Sequence, residues 1–156
     1  MLKYCYERWN QNKDKLEAAL RETDLTMVGY MDLCALVVKH ILNTDDQEFS
    51  YENWDPNKIT VIDDGDYQGT MLFLIPQNTY QPSEYGYLMT YIGYGSCTVC
   101  DYLQSIQPWD KSEIDDETIK DFMGLCKDFV TNMIKPYNSG WRQDDEFEHI
   151  SMEVSE

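Results

Sequence analysis

This chain is predicted to fold as one α+β domain, a three-stranded antiparallel sheet covered by helices in the order α-α-β-β-β-α-α. Apolar residues recur at helical spacing near both ends, over Thr26 to Asn43 and again after Asp115. Between them lie three runs rich in β-branched and aromatic residues. An Asp-Gly pair and several prolines punctuate those runs, which marks strands joined by turns.

Taken in order, QNKDKLEAALRE (residues 11–22) reads as a short helix with charges of alternating sign. Thr26 to Asn43 reads as a longer helix: Tyr30, Leu33, Cys34, Val37 and Ile41 share one face, with Leu36 and His40 flanking it. Residues 44–57 are polar, acidic and closed by proline, hence a loop. Lys58–Ile62 and Thr70–Ile75 are strands separated by DDGDYQG, a hairpin signal, and Pro76 stops the second. Tyr85–Tyr94 is the third strand, and a short helix follows from about Cys100 to Gln107, ended by Pro108. Acidic residues from Asp115 suit the positive end of the last helix, whose stripe is Ile119, Phe122, Met123, Cys126, Val130, Met133 and Ile134. Pro136 ends it, so residues 1–136 are the domain and 137–156 an acidic tail.

Charge is the outlier in the composition. Among 156 residues, 29 acids against 12 lysines and arginines give −17. Three segments hold the whole excess: 44–68 carries −7, 101–117 carries −5 and 141–156 carries −5. Nucleic acid and anionic membranes repel such a surface, so no direct nucleic-acid or membrane binding is expected. A basic protein or nucleoprotein complex is attracted by it. The plainer use of the same charge is solubility. The residues assigned to partner binding are Asp45, Asp46, Glu48, Asp63, Asp64, Asp66, Asp144, Asp145 and Glu146, with Trp54, Tyr67 and Trp141 as exposed aromatic anchors. A homo-oligomer is left open.

The stretch YGSCTVCD, Tyr94 to Asp101, is the most motif-like. Cys97 and Cys100 supply one close pair of zinc ligands, but no second C-x-x-C or H-x-x-x-H exists. A strand, C-x-x-C and helix also resemble a thioredoxin-type motif locally, without the β-α-β order that must precede it. Asp101 beside the thiols opposes their ionisation. The favoured reading is a tight turn with half-buried, packing thiols and Ser96 capping the next helix; zinc or thiol redox chemistry at Cys97 and Cys100 is the alternative. Five cysteines without an apolar leader are expected as reduced thiols in a soluble, intracellular protein.

Catalytic signatures are missing from the sequence. There is no G-x-S-x-G, P-loop or G-x-G-x-x-G, and the acidic loops lack the glutamate that closes an EF-hand. No catalytic residue and no cofactor is assigned, and the chain reads as a non-enzyme.

Asp66-Tyr67-Gln68-Gly69-Thr70, Asn78-Thr79-Tyr80-Gln81-Pro82 and Tyr94-Gly95-Ser96-Cys97 with Cys100-Asp101 occur in that order within residues 61–106. This run resembles small bacteriophage and prophage proteins carrying D-x-Y-Q-G-T, D-T-Y-Q-P and Y-G-S-C-S-G-C-D. Asn78 and Thr98-Val99 depart from that pattern, and the loss of a glycine makes the turn less permissive. The resemblance implies a phage product acting in the cytoplasm of an infected bacterium. By analogy the chain also resembles small acidic phage proteins that look like inhibitors of host nucleases or of defence complexes, in anti-CRISPR fashion, some by mimicking DNA.

Overall fold

The computed structural model describes residues 2–43, 53–66 and 68–135. Four helices and three strands follow in the predicted order: α1 (Lys3–Glu22), α2 (Tyr30–Val37), β1 (Thr60–Asp63), β2 (Gly69–Pro76), β3 (Tyr87–Tyr94), α3 (Tyr102–Ile106) and α4 (Asp116–Thr131). The fold class is therefore α+β, as expected. Residues 44–52 and 136–156, which include much of the expected loop and all of the expected tail, lie outside the described residues.

Helix α1 begins eight residues earlier than its sequence suggested, at Lys3 rather than residue 11. Its buried face runs through Cys5, Trp9, Asn12, Leu16 and Leu20. A polar residue in the middle of that stripe hides it from a search for apolar periodicity. Helix α2 starts at Tyr30, not Thr26, because Asp24 folds the preceding residues into a turn by accepting from the Thr26 amide and hydroxyl. The Gly29 amide donates to the Asp32 carboxylate at 2.9 Å and fixes the helix start. Past Val37 the helix widens into a π-helical turn, Val38–Leu42, closed by the Asn43 amide on the Val38 carbonyl.

The sheet has the order β1-β2-β3, antiparallel throughout. Phe73 faces Val61 on one side and Thr90 on the other, and Ile75 faces Leu88. With a period of two, these residues share the face that meets the helices. Phe73 meets Phe129 of α4 edge-on, with ring centroids 5.3 Å apart and planes at 79°, a favoured aromatic geometry. Thr90 sits in the same core because its hydroxyl donates to the Phe129 carbonyl at 2.6 Å. Each fully buried Leu, Ile or Phe here contributes about 1.5–3 kcal/mol from leaving water.

Helix α4 ends at Thr131, five residues before Pro136, so proline is not what stops it. The chain turns back instead, and Met89 and Ile134 exchange amide and carbonyl bonds of 2.9 and 2.7 Å. Leu125 and Phe129 join the buried stripe that the sequence assigned to this helix, while Met123 lies at its margin. No helix among the described residues is long and apolar enough to cross a membrane.

Candidate functional site

The hairpin between β1 and β2 gathers three of the assigned carboxylates, Asp63, Asp64 and Asp66, all exposed. Local hydrogen bonds fix their backbone. Asp63 accepts from the Gly65 amide at 3.0 Å, and Asp64 accepts from the Thr70 amide at 2.8 Å. Tyr94, at the end of β3, turns its hydroxyl onto both the Asp63 carboxylate and the Gly65 carbonyl. That hydroxyl, and then the Gly65 amide, hold the Asp63 carboxyl below its ordinary range. Gly65 is required here, since a β-carbon would collide with the Gln68 carbonyl.

Trp54 does not belong with these acids, contrary to its assignment as an exposed anchor. It is 5% exposed. Its indole N–H donates to the Tyr4 hydroxyl at 2.7 Å, and Asn43 grips its backbone with bonds of 2.7 and 2.8 Å. Lys135 lies over the ring, 5.5 Å from its centroid. Trp54 clamps its stretch of chain onto Tyr4 near the start of α1 and onto Asn43, just past the π-helical turn. Asp45, Asp46, Glu48, Tyr67, Trp141, Asp144, Asp145 and Glu146 lie outside the described residues.

An exposed tryptophan does occur elsewhere in the acidic sequence. Trp109, within segment 101–117, is 90% exposed, yet its backbone is tied down. Its amide donates to the Glu113 carboxylate at 3.1 Å, and Asp110 accepts from the Ser112 amide at 2.9 Å. That amide holds the Asp110 carboxyl below its usual range. Gln107 donates to the Leu25 and Val28 carbonyls at 3.0 and 2.9 Å, binding the loop to the α1–α2 connection. Met27 on that connection is 79% exposed. The sequence signal for Trp109 was a tryptophan after a proline in an acidic run, PWDKSE. At the start of α4, Asp115 accepts from the Thr118 amide at 2.9 Å and caps the helix.

Asp101, counted among the surface acids, is a core residue at 2% exposure. Its carboxylate takes the Tyr30 hydroxyl at 2.6 Å, the Gly95 amide at 3.2 Å and the Gln104 amide at 3.0 Å. Asp101 therefore caps α3, the role expected of Ser96. The thiols beside it depart from expectation as well: Cys97 and Cys100 are exposed, not half-buried. The Cys100 and Asp101 amides both donate to the Cys97 carbonyl, at 3.2 and 2.8 Å. Gly95 passes so close to Cys100 that a β-carbon would strike its carbonyl. Cys34 and Cys126 are buried on their helices, as their spacing implied.

Among the described residues no group of three or more His, Cys, Asp or Glu is placed to hold a metal ion. A groove of about 270 Å³ runs between α1 and α4, lined in part by Trp9, Lys13, Lys120, Gly124 and Lys127. It gathers three of the few lysines in this acidic chain. No family model, curated protein or solved structure matches the chain.

Proposed function

We propose that this protein works by binding, presenting ordered carboxylates and an exposed tryptophan to a basic, nucleic-acid-binding partner. The observation that carries the reading is Trp109, a large aromatic side chain exposed to water on a backbone whose amide is tied to Glu113, next to Asp110. Tryptophan is over-represented among the residues that dominate binding energy, and carboxylates around it steer a cationic surface into register. The charge of −17 supplies the long-range attraction. Asp63 and Asp64, each held by a backbone amide, add a second group of anions on the hairpin together with exposed Asp66.

The resemblance of residues 61–106 to phage proteins sets the context. The protein is a phage-encoded inhibitor acting in the bacterial cytoplasm, where its carboxylates occupy a groove that normally takes phosphates. Binding of this kind needs neither a cofactor nor catalysis.

A tagged chain incubated with bacterial lysate at low salt tests the reading. The expected result is retention of one nucleic-acid-binding host complex, released by a salt step and by added duplex DNA. Trp109→Ala should weaken retention by about 2 kcal/mol, near thirtyfold, if the indole is an anchor. An empty eluate, or retention indifferent to both salt and DNA, counts against it and leaves the charge to solubility.

A further inference from the structure

Two of the five thiols are built differently from the rest. Cys5, Cys34 and Cys126 are buried, and burial pushes each thiol far up, which leaves them as inert core atoms. Cys97 and Cys100 are exposed, with Val99 between them 92% exposed. Packing therefore does not account for them. The frame of the turn also rests on groups other than their side chains. The Asp101 carboxylate ties together Gly95, Gln104 and Tyr30, and Gly95 supplies the close approach to Cys100.

Within that frame the two sulfurs are brought together. The Cys100 amide on the Cys97 carbonyl, at 3.2 Å, closes a turn from residue 97 to residue 100. Such a turn holds its end α-carbons within about 7 Å, and a disulfide spans roughly 4.4–6.8 Å. The Cys100 sulfur points back over the turn: the Cys97 amide donates to it at 2.9 Å, and the Ser96 hydroxyl lies 3.8 Å away. Donors aimed at a sulfur favour its anion. The Cys97 side chain is the strongest influence, and together these groups hold the Cys100 thiol below its ordinary value. The neighbouring Asp101 charge, expected from sequence to oppose ionisation, faces inward to three other donors.

We propose that Cys97 and Cys100 form a thiol–disulfide exchange site, in which Cys100 attacks a low-molecular-weight disulfide and Cys97 resolves the product. The Cys100 thiolate bonds to one sulfur of the disulfide. The old S–S bond breaks, and its electron pair leaves on the other sulfur, which takes a proton from water. Cys97 then gives its proton to solvent and attacks the Cys100 sulfur, forming the Cys97–Cys100 bond and expelling the second thiol. The turn loses two electrons as the small disulfide becomes two thiols. This site shares no residue with the Trp109 surface, and the binding reading does not depend on it.

The test uses the full-length chain and oxidised glutathione. Protein is incubated with excess oxidised glutathione, quenched by alkylation, and digested for mass spectrometry. The expected product is an internal Cys97–Cys100 disulfide, with Cys5, Cys34 and Cys126 unmodified until denaturant is added. Cys97→Ser should stop at a stable glutathione adduct on Cys100. Cys100→Ser should react at Cys97 at least about tenfold more slowly, having lost the activated sulfur. Equal rates for the two variants would overturn the assignment of Cys100 as the attacking group. A lasting adduct on the wild-type turn, without ring closure, would overturn the exchange site altogether. Both substitutions are at exposed positions, and an unchanged near-ultraviolet circular dichroism spectrum verifies that each variant is folded.

Discussion

Tyr94 joins the last residue of β3 to the acidic hairpin through a single phenol, and the pH dependence of that contact follows from its two partners. Asp63 is held below its ordinary range, so its share of stability is present above the unfolded carboxyl value of about 3.9 and is lost as pH falls through the lower folded value. Tyr94 is pushed from 10.0 up to about 12, chiefly by Asp63. Its share is complete below pH 10 and is lost as pH rises through about 12. Tyr94→Phe should shrink the acidic dependence, returning Asp63 only part of the way towards an ordinary carboxyl because the Gly65 amide still holds it, and should remove the alkaline one. Carbon NMR of the Asp63 side chain across pH checks the first effect, and urea midpoints at about pH 7 and about pH 11 check the second. Single residues were where sequence reading was weakest. Trp54 and Trp109 both lie in acidic, loop-like sequence, and only the Tyr4 and Asn43 partners of Trp54 make one a clamp and leave the other in water. Likewise nothing adjacent to Asp101 signals that Tyr30, far away in sequence, will draw it inward.

At the scale of elements, α1 was found from its alternating charges and cut short because its apolar stripe is broken. Leu16 and Leu20 are visible as a stripe; Cys5 and Trp9 continue it, but buried Asn12 breaks the pattern between them. Asn12 has a structural task that no local rule contains. Its amide donates to the Ile41 carbonyl at 2.8 Å, inside the π-helical turn where helical bonding is irregular. Asn12→Ala should cost about 2 kcal/mol, since it leaves that carbonyl unpaired in the interior, and urea unfolding of the variant measures it. A cost near zero would mean water replaces the side chain. The strands were easier to read. KITVI and TMLFLI carry apolar residues on both faces, and the Asp-Gly turn alone fixed where they separate.

For the whole molecule, the order of helices and strands was legible because each long element carries a local signal: apolar spacing or alternating charge in the helices, β-branched and aromatic runs between turns in the strands. The arrangement of the acids was not, because charge runs have no period and their partners are distant in sequence. A chain at −17 repels itself, and the ion pairs among the described residues, such as Arg21 with Asp116 at 2.9 Å, lie at the surface where each is worth little. Added sodium chloride, from about 0.01 M to about 0.5 M, should therefore raise the melting temperature by a few degrees, roughly 2–6 °C. Calorimetry decides this, and a falling melting temperature would mean that paired charges outweigh the repulsion. The return of the chain along β3 has its own consequence. Beyond the Met89–Ile134 pair, the Asn132 side chain covers the Tyr91 carbonyl at 2.9 Å and Lys135 covers that of Tyr85 at 2.5 Å. These few residues act as a guard rail: they occupy hydrogen-bonding groups that would otherwise template a strand from a second chain, so this stretch of the sheet's border is shielded from amyloid-like growth.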